Sequence, residues 1–180
     1  MEDEVELGGG TGRNLEFFAA DRRADLEFEL VDLCAPLLDI ARQRTRGWPQ
    51  VRITQADATT YRPQAPVDCV LIAYALSMIP DWRAAVSNAL AMLKPGGQLA
   101  VVDFYVGADR SGTGLAQHGA ITRRFWPRWF AHDGVRLGPE TPQHLLQLMP
   151  SHQLWEARAS LPYLPLLRVP YFRFVGRKSD

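Results

Sequence analysis

Four glycines occur within five positions, Gly8-Gly9-Gly10-Thr11-Gly12, followed by Arg13 and Asn14. Glycine lets a backbone turn sharply and approach a ligand with no Cβ in the way. At a strand-to-helix junction such a turn exposes free amides to a polar or anionic ligand. The phosphate-loop lysine is missing, and the spaced-glycine dinucleotide pattern fits only loosely, so a plain glycine-rich turn is the competing reading. Asp32 follows at about the 20-residue offset where an acid at a strand end binds ribose hydroxyls; a carboxylate favoured near a helix start is the alternative. Asp57 follows the next apolar run and can accept from the exocyclic amine of adenine, or face solvent as a loop acid. Tyr74 and Asp103 end two further apolar runs. His118, His132, His144 and His152 lack metal-ligand spacing, and no metal is expected.

The elements that must place these residues alternate. Glu4–Leu7 reads as a short strand feeding the glycine turn, with a helix from Asn14 to Ala20 leaving it. Leu26–Asp32 reads as a second strand, followed by a helical face of Leu37, Ile40 and Ala41 with Pro36 near its start. Its end is marked by Arg42-Gln43-Arg44 and Gly47. Val51–Thr54 is a third strand. Asp68–Tyr74 is a continuous apolar fourth, as expected where both sheet faces are covered. Asp81 can cap a helix running from Trp82 to Leu93, and Lys94-Pro95-Gly96-Gly97 stops it before a fifth strand, Leu99–Phe104. Repeated strand-helix alternation predicts an α/β, Rossmann-like, doubly wound and mostly parallel sheet, with ligands at the strands' C-terminal ends.

Beyond Phe104 the pattern changes. Val106–Gly119 is glycine-rich and polar and reads as a flexible lip; Gly112-Thr113-Gly114 lacks strand-helix context for a phosphate loop. Ile121–His132 interleaves Phe125, Trp126, Trp129 and Phe130 with Arg123, Arg124 and Arg128, and Pro127 bends it. It reads either as a helix packing aromatics on the sheet or as an interfacial element with arginines near phosphates. A short helix spans Thr141–Met149, a sixth strand His152–Ser160, and a last alternating strand Tyr171–Gly176. Leu161–Leu167 is too proline-rich for a simple strand and reads as an exposed or pocket-lining connection. The sheet thus has seven strands, with a C-terminal antiparallel strand. Residues 1–180 read as a single domain, with 107–150 a substrate-side loop and helical insertion.

The 180-residue chain is 47% hydrophobic with formal net charge +0. Neutrality removes the general electrostatic case for nucleic-acid binding. Cys34 and Cys69 make no disulfide framework, no apolar run reaches membrane-spanning length, and Met1-Glu2-Asp3-Glu4 is unlike a signal peptide, so a cytoplasmic location is expected.

The glycine turn, the two acids after strands 2 and 3, and the polar-aromatic stretch after strand 4 together describe an adenosine cofactor across strand ends. With no second substrate domain, the chain resembles class I S-adenosylmethionine-dependent methyltransferases, whose turn before strand 5 is similar to Leu93-Lys94-Pro95-Gly96-Gly97. More narrowly, Leu7–Asn14, Val31–Cys34, Tyr74–Trp82 and Pro170–Lys178 resemble the betaine-lipid methyltransferases. That resemblance implies three methyl transfers to the amine of a diacylglyceryl-homoserine lipid, with S-adenosylmethionine as cofactor. By the same resemblance Gly8, Gly10, Gly12 and Asn14 shape the methionine-side loop, Asp32 with Leu33 meets the ribose, and Asp57 with Ala58 borders adenine.

The expected chemistry needs an unprotonated amine and good orientation rather than strong acid-base machinery. Tyr74 is the first pocket candidate, both beside the cofactor and as a catalytic group whose ring steadies a cationic amine and whose hydroxyl orients it. Asp103 is the second catalytic candidate, positioning the amine, although it could equally be a cap. Trp82 or Trp126 would form an aromatic wall, with Trp82 also readable as core. The expected partners are an amino-lipid and a transient membrane surface, and either a second copy or a partner subunit. A phospholipid N-methyltransferase, a quinone-type C-methyltransferase and a non-enzymatic cofactor-binding subunit are the alternatives. Only seven residues precede Gly8, so the N-terminal helical cover usual in such enzymes is expected to be missing.

Overall fold

The computed structural model describes residues 2–17, 26–107, 115–161 and 164–179. One seven-stranded sheet organises them: β1 (Glu2–Leu7), β2 (Leu26–Asp32), β3 (Val51–Gln55), β4 (Val67–Ala73), β5 (Leu93–Phe104), β6 (His152–Leu161) and β7 (Leu164–Arg177). Their order is β3-β2-β1-β4-β5-β7-β6. The first five strands pair in parallel, while β7 is antiparallel to both β5 and β6. This is the expected doubly wound α/β sheet. The strand order reverses beside β1, so the C-terminal ends of β1 and β4 flank a crevice.

Among the described residues four α-helices connect and cover the strands: α1 (Ala35–Arg44), α2 (Trp82–Met92), α3 (Ala120–Ala131) and α4 (Glu140–Leu148). Pro36 lies in the first turn of α1, where a missing N–H costs nothing. Asp81 caps α2, its carboxylate accepting from the Ala84 amide at 3.1 Å. On one sheet face Val5, Leu7, Val70, Ile72, Leu99, Val101, Phe172 and Phe174 are all buried, packed with Ala85, Val86 and Ala89 of α2 and Leu145 of α4. On the other face α1 brings Leu38 and Ala41 onto Phe28 and Leu30. Further along that second face Leu71, Ala73, Ala100 and Val102 are only half-buried, and Trp155 is 43% exposed.

Several sequence expectations are corrected. The helix expected over Asn14–Ala20 is a 3-10 turn, Arg13–Phe17, over the described part; positions 18–20 lie outside the described residues. Its Leu15 amide bonds Gly12 three residues back, and the Asn14 side chain is drawn to Glu6. α2 ends at Met92, and Leu93 already pairs with Val67, so Lys94-Pro95-Gly96-Gly97 lies within the irregular start of β5. That start is fastened by the C-terminal residues: Lys178 donates its amide to Gly97, and its ammonium to the Leu90 and Leu93 carbonyls. The segment expected as a connection, 161–167, instead contains the start of β7 at Leu164. Prolines are tolerated there because β5 stops at Phe104, opposite Tyr171; before that register β7 pairs only with β6. Pro162 and Tyr163 lie outside the described residues.

Leu145 is fully buried on the α4 face, whereas Ile121 of α3 is 85% exposed. Leu145→Ala is therefore expected to cost about 2–5 kcal/mol in urea unfolding, and Ile121→Ala less than about 0.5 kcal/mol. Equal losses would show that α4 does not seal the sheet.

Candidate functional site

The glycine turn is built across the end of β2. The amides of Gly8 and Gly9 both donate to the Val31 carbonyl, at 2.8 and 3.2 Å, and Gly12 donates to Gly9. Gly10 and Gly12 have φ of 53° and 69°, in the left-handed region that disfavours side chains. A Cβ on Gly8 would lie 2.5 Å from the Ala75 Cβ, so the turn touches the segment after β4. Asp32 links this turn to its own strand end. One carboxylate oxygen accepts from Gly10 N and the other from Cys34 N, both at 2.8 Å. Each oxygen keeps capacity for a further donor such as a hydroxyl.

Beneath the turn lies Glu6, which the sequence reading passed over. It is fully buried. Asn14 donates to one carboxylate oxygen at 2.6 Å, and the other oxygen has no partner. Burial, reinforced by Asp32 and Glu4 and opposed by the Asn14 bond, pushes its carboxyl up to about 7. An orphaned acceptor under a ring of glycines fits a cationic or strongly donating ligand. The signal in the sequence is its position, two residues before Gly8 on an otherwise apolar strand end.

Other supporting residues also escaped the sequence reading. Arg44, at the end of α1, donates to the carbonyl and hydroxyl of Thr11 and pairs with Glu16 at 2.8 Å. Asn88 of α2 donates to the carbonyls of Ala58 and Tyr61, at 2.8 and 2.9 Å. It thereby fixes the loop that carries Asp57. Asp57 accepts from the Thr59 amide and hydroxyl, which hold its carboxyl below the usual range. Ala58 packs against the main core, and Leu33 is exposed beside Asp32, its carbonyl accepting from Gln55.

Tyr74 follows β4 with φ 56°, a strained conformation for a bulky residue. Its amide still donates to Val102, and its half-exposed ring lies 4.9 Å from Phe104. Burial, with Tyr171 and Asp103 nearby, raises the phenol, which keeps it a hydroxyl donor. Asp103, expected either to position an amine or to serve as a cap, lies inside the fold. Asp103 is 1% exposed and accepts from Ser77 N and Ser77 Oγ, both at 2.8 Å, and from Phe104 N at 2.7 Å. Burial raises its carboxyl while these bonds oppose the rise. It positions the loop carrying Tyr74. Trp126, expected as one choice for an aromatic wall, is buried against Val106, Leu137 and Val169. Trp82 packs partly on the core and meets His144 edge-on.

The expected lip is tethered at both described ends. Gly107 N donates to His118 Nδ1 at 2.8 Å, and Glu156 accepts from Ala116 N and from the Tyr105 hydroxyl. Gly112-Thr113-Gly114 lies outside the described residues. Among the described residues no group of three His, Cys, Asp or Glu is placed to hold a metal.

Residues 5–99 match the family described as methyltransferase domain. The chain is 35% identical over 97 residues to the trans-aconitate 2-methyltransferase of an Azoarcus species, covering 54% of this chain and 37% of that protein. It is 33% identical over 103 residues to the demethylmenaquinone methyltransferase of Thermus thermophilus, covering 56% and 46%. The aligned part thus spans less than half the length of these relatives. Among solved structures, the YcgJ protein of Bacillus subtilis superposes with TM-score 0.76 at 14% identity, covering 99% of this chain and 92% of that one. Phosphoethanolamine N-methyltransferase 2 of Haemonchus contortus, bound to phosphomonomethylethanolamine and S-adenosylhomocysteine, gives 0.75 at 15% identity, covering 99% and 49%. These two likenesses concern the fold.

Glu6 gives the site a pH signature. Its carboxyl titrates near 4.5 when free and near 7 when folded, so the folded chain keeps a proton that the unfolded chain has lost. The stabilising contribution is complete below pH 4.5 and is lost as pH rises through 7, by about 3 kcal/mol. Glu6→Gln cannot ionise. In urea unfolding without ligand it is expected to exceed the parent by about 1 kcal/mol at about pH 5 and about 3 kcal/mol at about pH 8.5. A gap that does not widen with pH would exclude a protonated buried Glu6.

Proposed function

The chain belongs to the methyltransferase domain family, and from that premise we propose that it transfers methyl groups from S-adenosylmethionine to the amine of a diacylglyceryl-homoserine-type lipid, giving the trimethylated betaine lipid. The observation that carries the cofactor reading is the cradle itself. Gly8 has no room for a Cβ, Asp32 offers both oxygens beside it, and the buried Glu6 has an acceptor without a donor. These groups suit a ligand with ribose hydroxyls and an ammonium. Glu6 and the glycine turn would hold the amino-acid end, Asp32 the ribose, and Asp57 with Ala58 the base. When bound, the cofactor supplies an electrophilic methyl on a sulfonium.

The chain's own part is orientation. Tyr74 presents a ring face and a protonated hydroxyl at the end of β4, where an amine can be held by a hydrogen bond and a cationic methylated amine by the ring. The buried Asp103 keeps that loop in place and takes no proton from the acceptor. Protons released by successive methylations pass to water. The relatives' names point to different acceptors, so the acceptor must be read from this chain's own surface.

A lipid acceptor is favoured by α3. Ile121, Phe125 and Trp129 recur at four-residue intervals and are 85%, 38% and 46% exposed. Arg124 and Arg128 are exposed on the same helix, which contains no acidic residue. Apolar side chains edged by guanidinium groups suit an anionic bilayer surface. No described helix is long and apolar enough to cross a membrane.

The deciding experiment incubates the protein with labelled S-adenosylmethionine and separate vesicles of diacylglyceryl-homoserine lipid, phosphatidylethanolamine and a demethylated quinone, with products read by mass. The expected result is a trimethylated homoserine lipid, with Tyr74→Phe at least tenfold slower and S-adenosylhomocysteine affinity unchanged. Transfer to one of the other acceptors alone would move the substrate assignment; cofactor binding with no transfer would leave a non-catalytic subunit.

Flotation tests the surface. The protein is expected to float with vesicles rich in phosphatidylglycerol, about tenfold less after Phe125→Ser with Trp129→Ser, and less in high salt. Equal flotation of parent and variant would remove α3 from the membrane contact.

A further inference from the structure

A second concavity lies behind the loop that carries Tyr74. It encloses about 520 Å³ between the start of α2, the far end of α3 and the segment leading into α4. Leu76 forms its floor, and Pro127 and Leu137 are among its apolar walls. Two arginines also line it, Arg83 and Arg136. Neither makes an ion pair with a described residue. Glu140 lines the cavity as well, but its carboxylate folds back against Gly138 and pairs with neither arginine.

The arginines are placed differently. The Arg83 guanidinium stands 4.2 Å from the centre of the Trp82 ring. Stacking uses the face of a guanidinium and leaves the N–H groups at its edge available for an oxyanion. Arg136 is placed by its backbone, whose amide donates to the Ser77 carbonyl at 2.7 Å. Ser77 is in turn held by Asp103. The cavity floor and Tyr74 therefore belong to one short, anchored loop.

Apolar walls beside two unpaired cationic forks favour a ligand with both characters. A free inorganic anion would leave the walls dry and unmatched, and an uncharged chain would leave the arginines without partners. We propose that this cavity is an amphipathic-anion site that seats the carboxylate or phosphate of the methyl acceptor between Arg83 and Arg136, with adjoining apolar atoms against Leu76, Trp82, Pro127 and Leu137. Naming the ligand as the acceptor rests on the methyltransferase reading; anion binding in the cavity does not. A homoserine headgroup would bring a carboxylate and a phospholipid headgroup a phosphate, so the relative strength of the two separates these sources.

The test uses octyl phosphate, octanoate, octanol and inorganic phosphate, titrated calorimetrically into the full chain. Saturable binding is expected for octyl phosphate or octanoate, at least tenfold tighter than for octanol or inorganic phosphate. Arg83→Gln with Arg136→Gln is expected to weaken it at least tenfold, with the thermal midpoint and S-adenosylhomocysteine affinity preserved. Tighter octanoate binding assigns a carboxylate acceptor, and tighter octyl phosphate binding a phosphate-bearing one. With whichever lipid is methylated, the double variant is expected to raise KM about tenfold at unchanged kcat. Absence of saturable binding, or equal binding by the double variant, would overturn the site. Arginine-dependent binding with unchanged KM would overturn the acceptor assignment. If the parent chain fails to bind S-adenosylhomocysteine, the methyltransferase reading falls while the titration still decides the anion site.

Discussion

The Asp103 carboxylate is buried at the end of β5 and accepts from Ser77 through both its amide and its hydroxyl, and from the Phe104 amide. A carboxylate removed from water is costly unless donors surround it, and the loop after β4 supplies them. That exchange fixes where the loop goes. Tyr74 enters it in a left-handed conformation that an unanchored chain would not hold, and Arg136 is fastened to its far side through Ser77. Ala75 in the same loop sets how closely Gly8 must approach. The glycine turn, the aromatic at β4 and the arginine-lined cavity thus share one support.

The repeating architecture was legible because it is written in period and punctuation. β2, β3 and β4 fall within two residues of their expected bounds, since strand-like runs read as ending at Asp32, Thr54 and Tyr74 leave few other solutions. The proline near the start of α1 and the Asp81 cap of α2 are local devices, and local devices survive tertiary packing. Departures occur where distant residues decide. The 3-10 turn after Gly12 depends on Glu6 attracting Asn14. The early start of β7 depends on β5 ending at Phe104, which no property of Pro165 or Pro170 reveals.

The site residues divide in the same way. The place of Asp32, at a strand end bonded to the glycine turn, was legible because the acid, the strand end and the turn have a characteristic separation. Asp103 was legible as a strand-end acid but not as a buried one, because Ser77 lies 26 positions away. Glu6 sits among several acids in an acidic N-terminal stretch, and its place two residues before Gly8 becomes telling only with the packing that buries it and leaves Glu4 partly exposed. Asn88 and Arg44 look like ordinary helix residues until the loops they hold are known.

The strand order carries a consequence for how the chain is made. β6 is synthesised before β7 yet reaches the sheet only through it, since β7 lies between β5 and β6. Until β7 emerges from the ribosome, the outer edge of β5 has no neighbour and β6 has nowhere to dock. Lys178, made later still, caps the end of α2 and secures the start of β5. Closure of this half of the sheet therefore waits for β7, and the nascent chain carries an open β5 edge from the synthesis of Phe104 until Tyr171–Arg177 has emerged, the stage at which a chaperone would have most to cover.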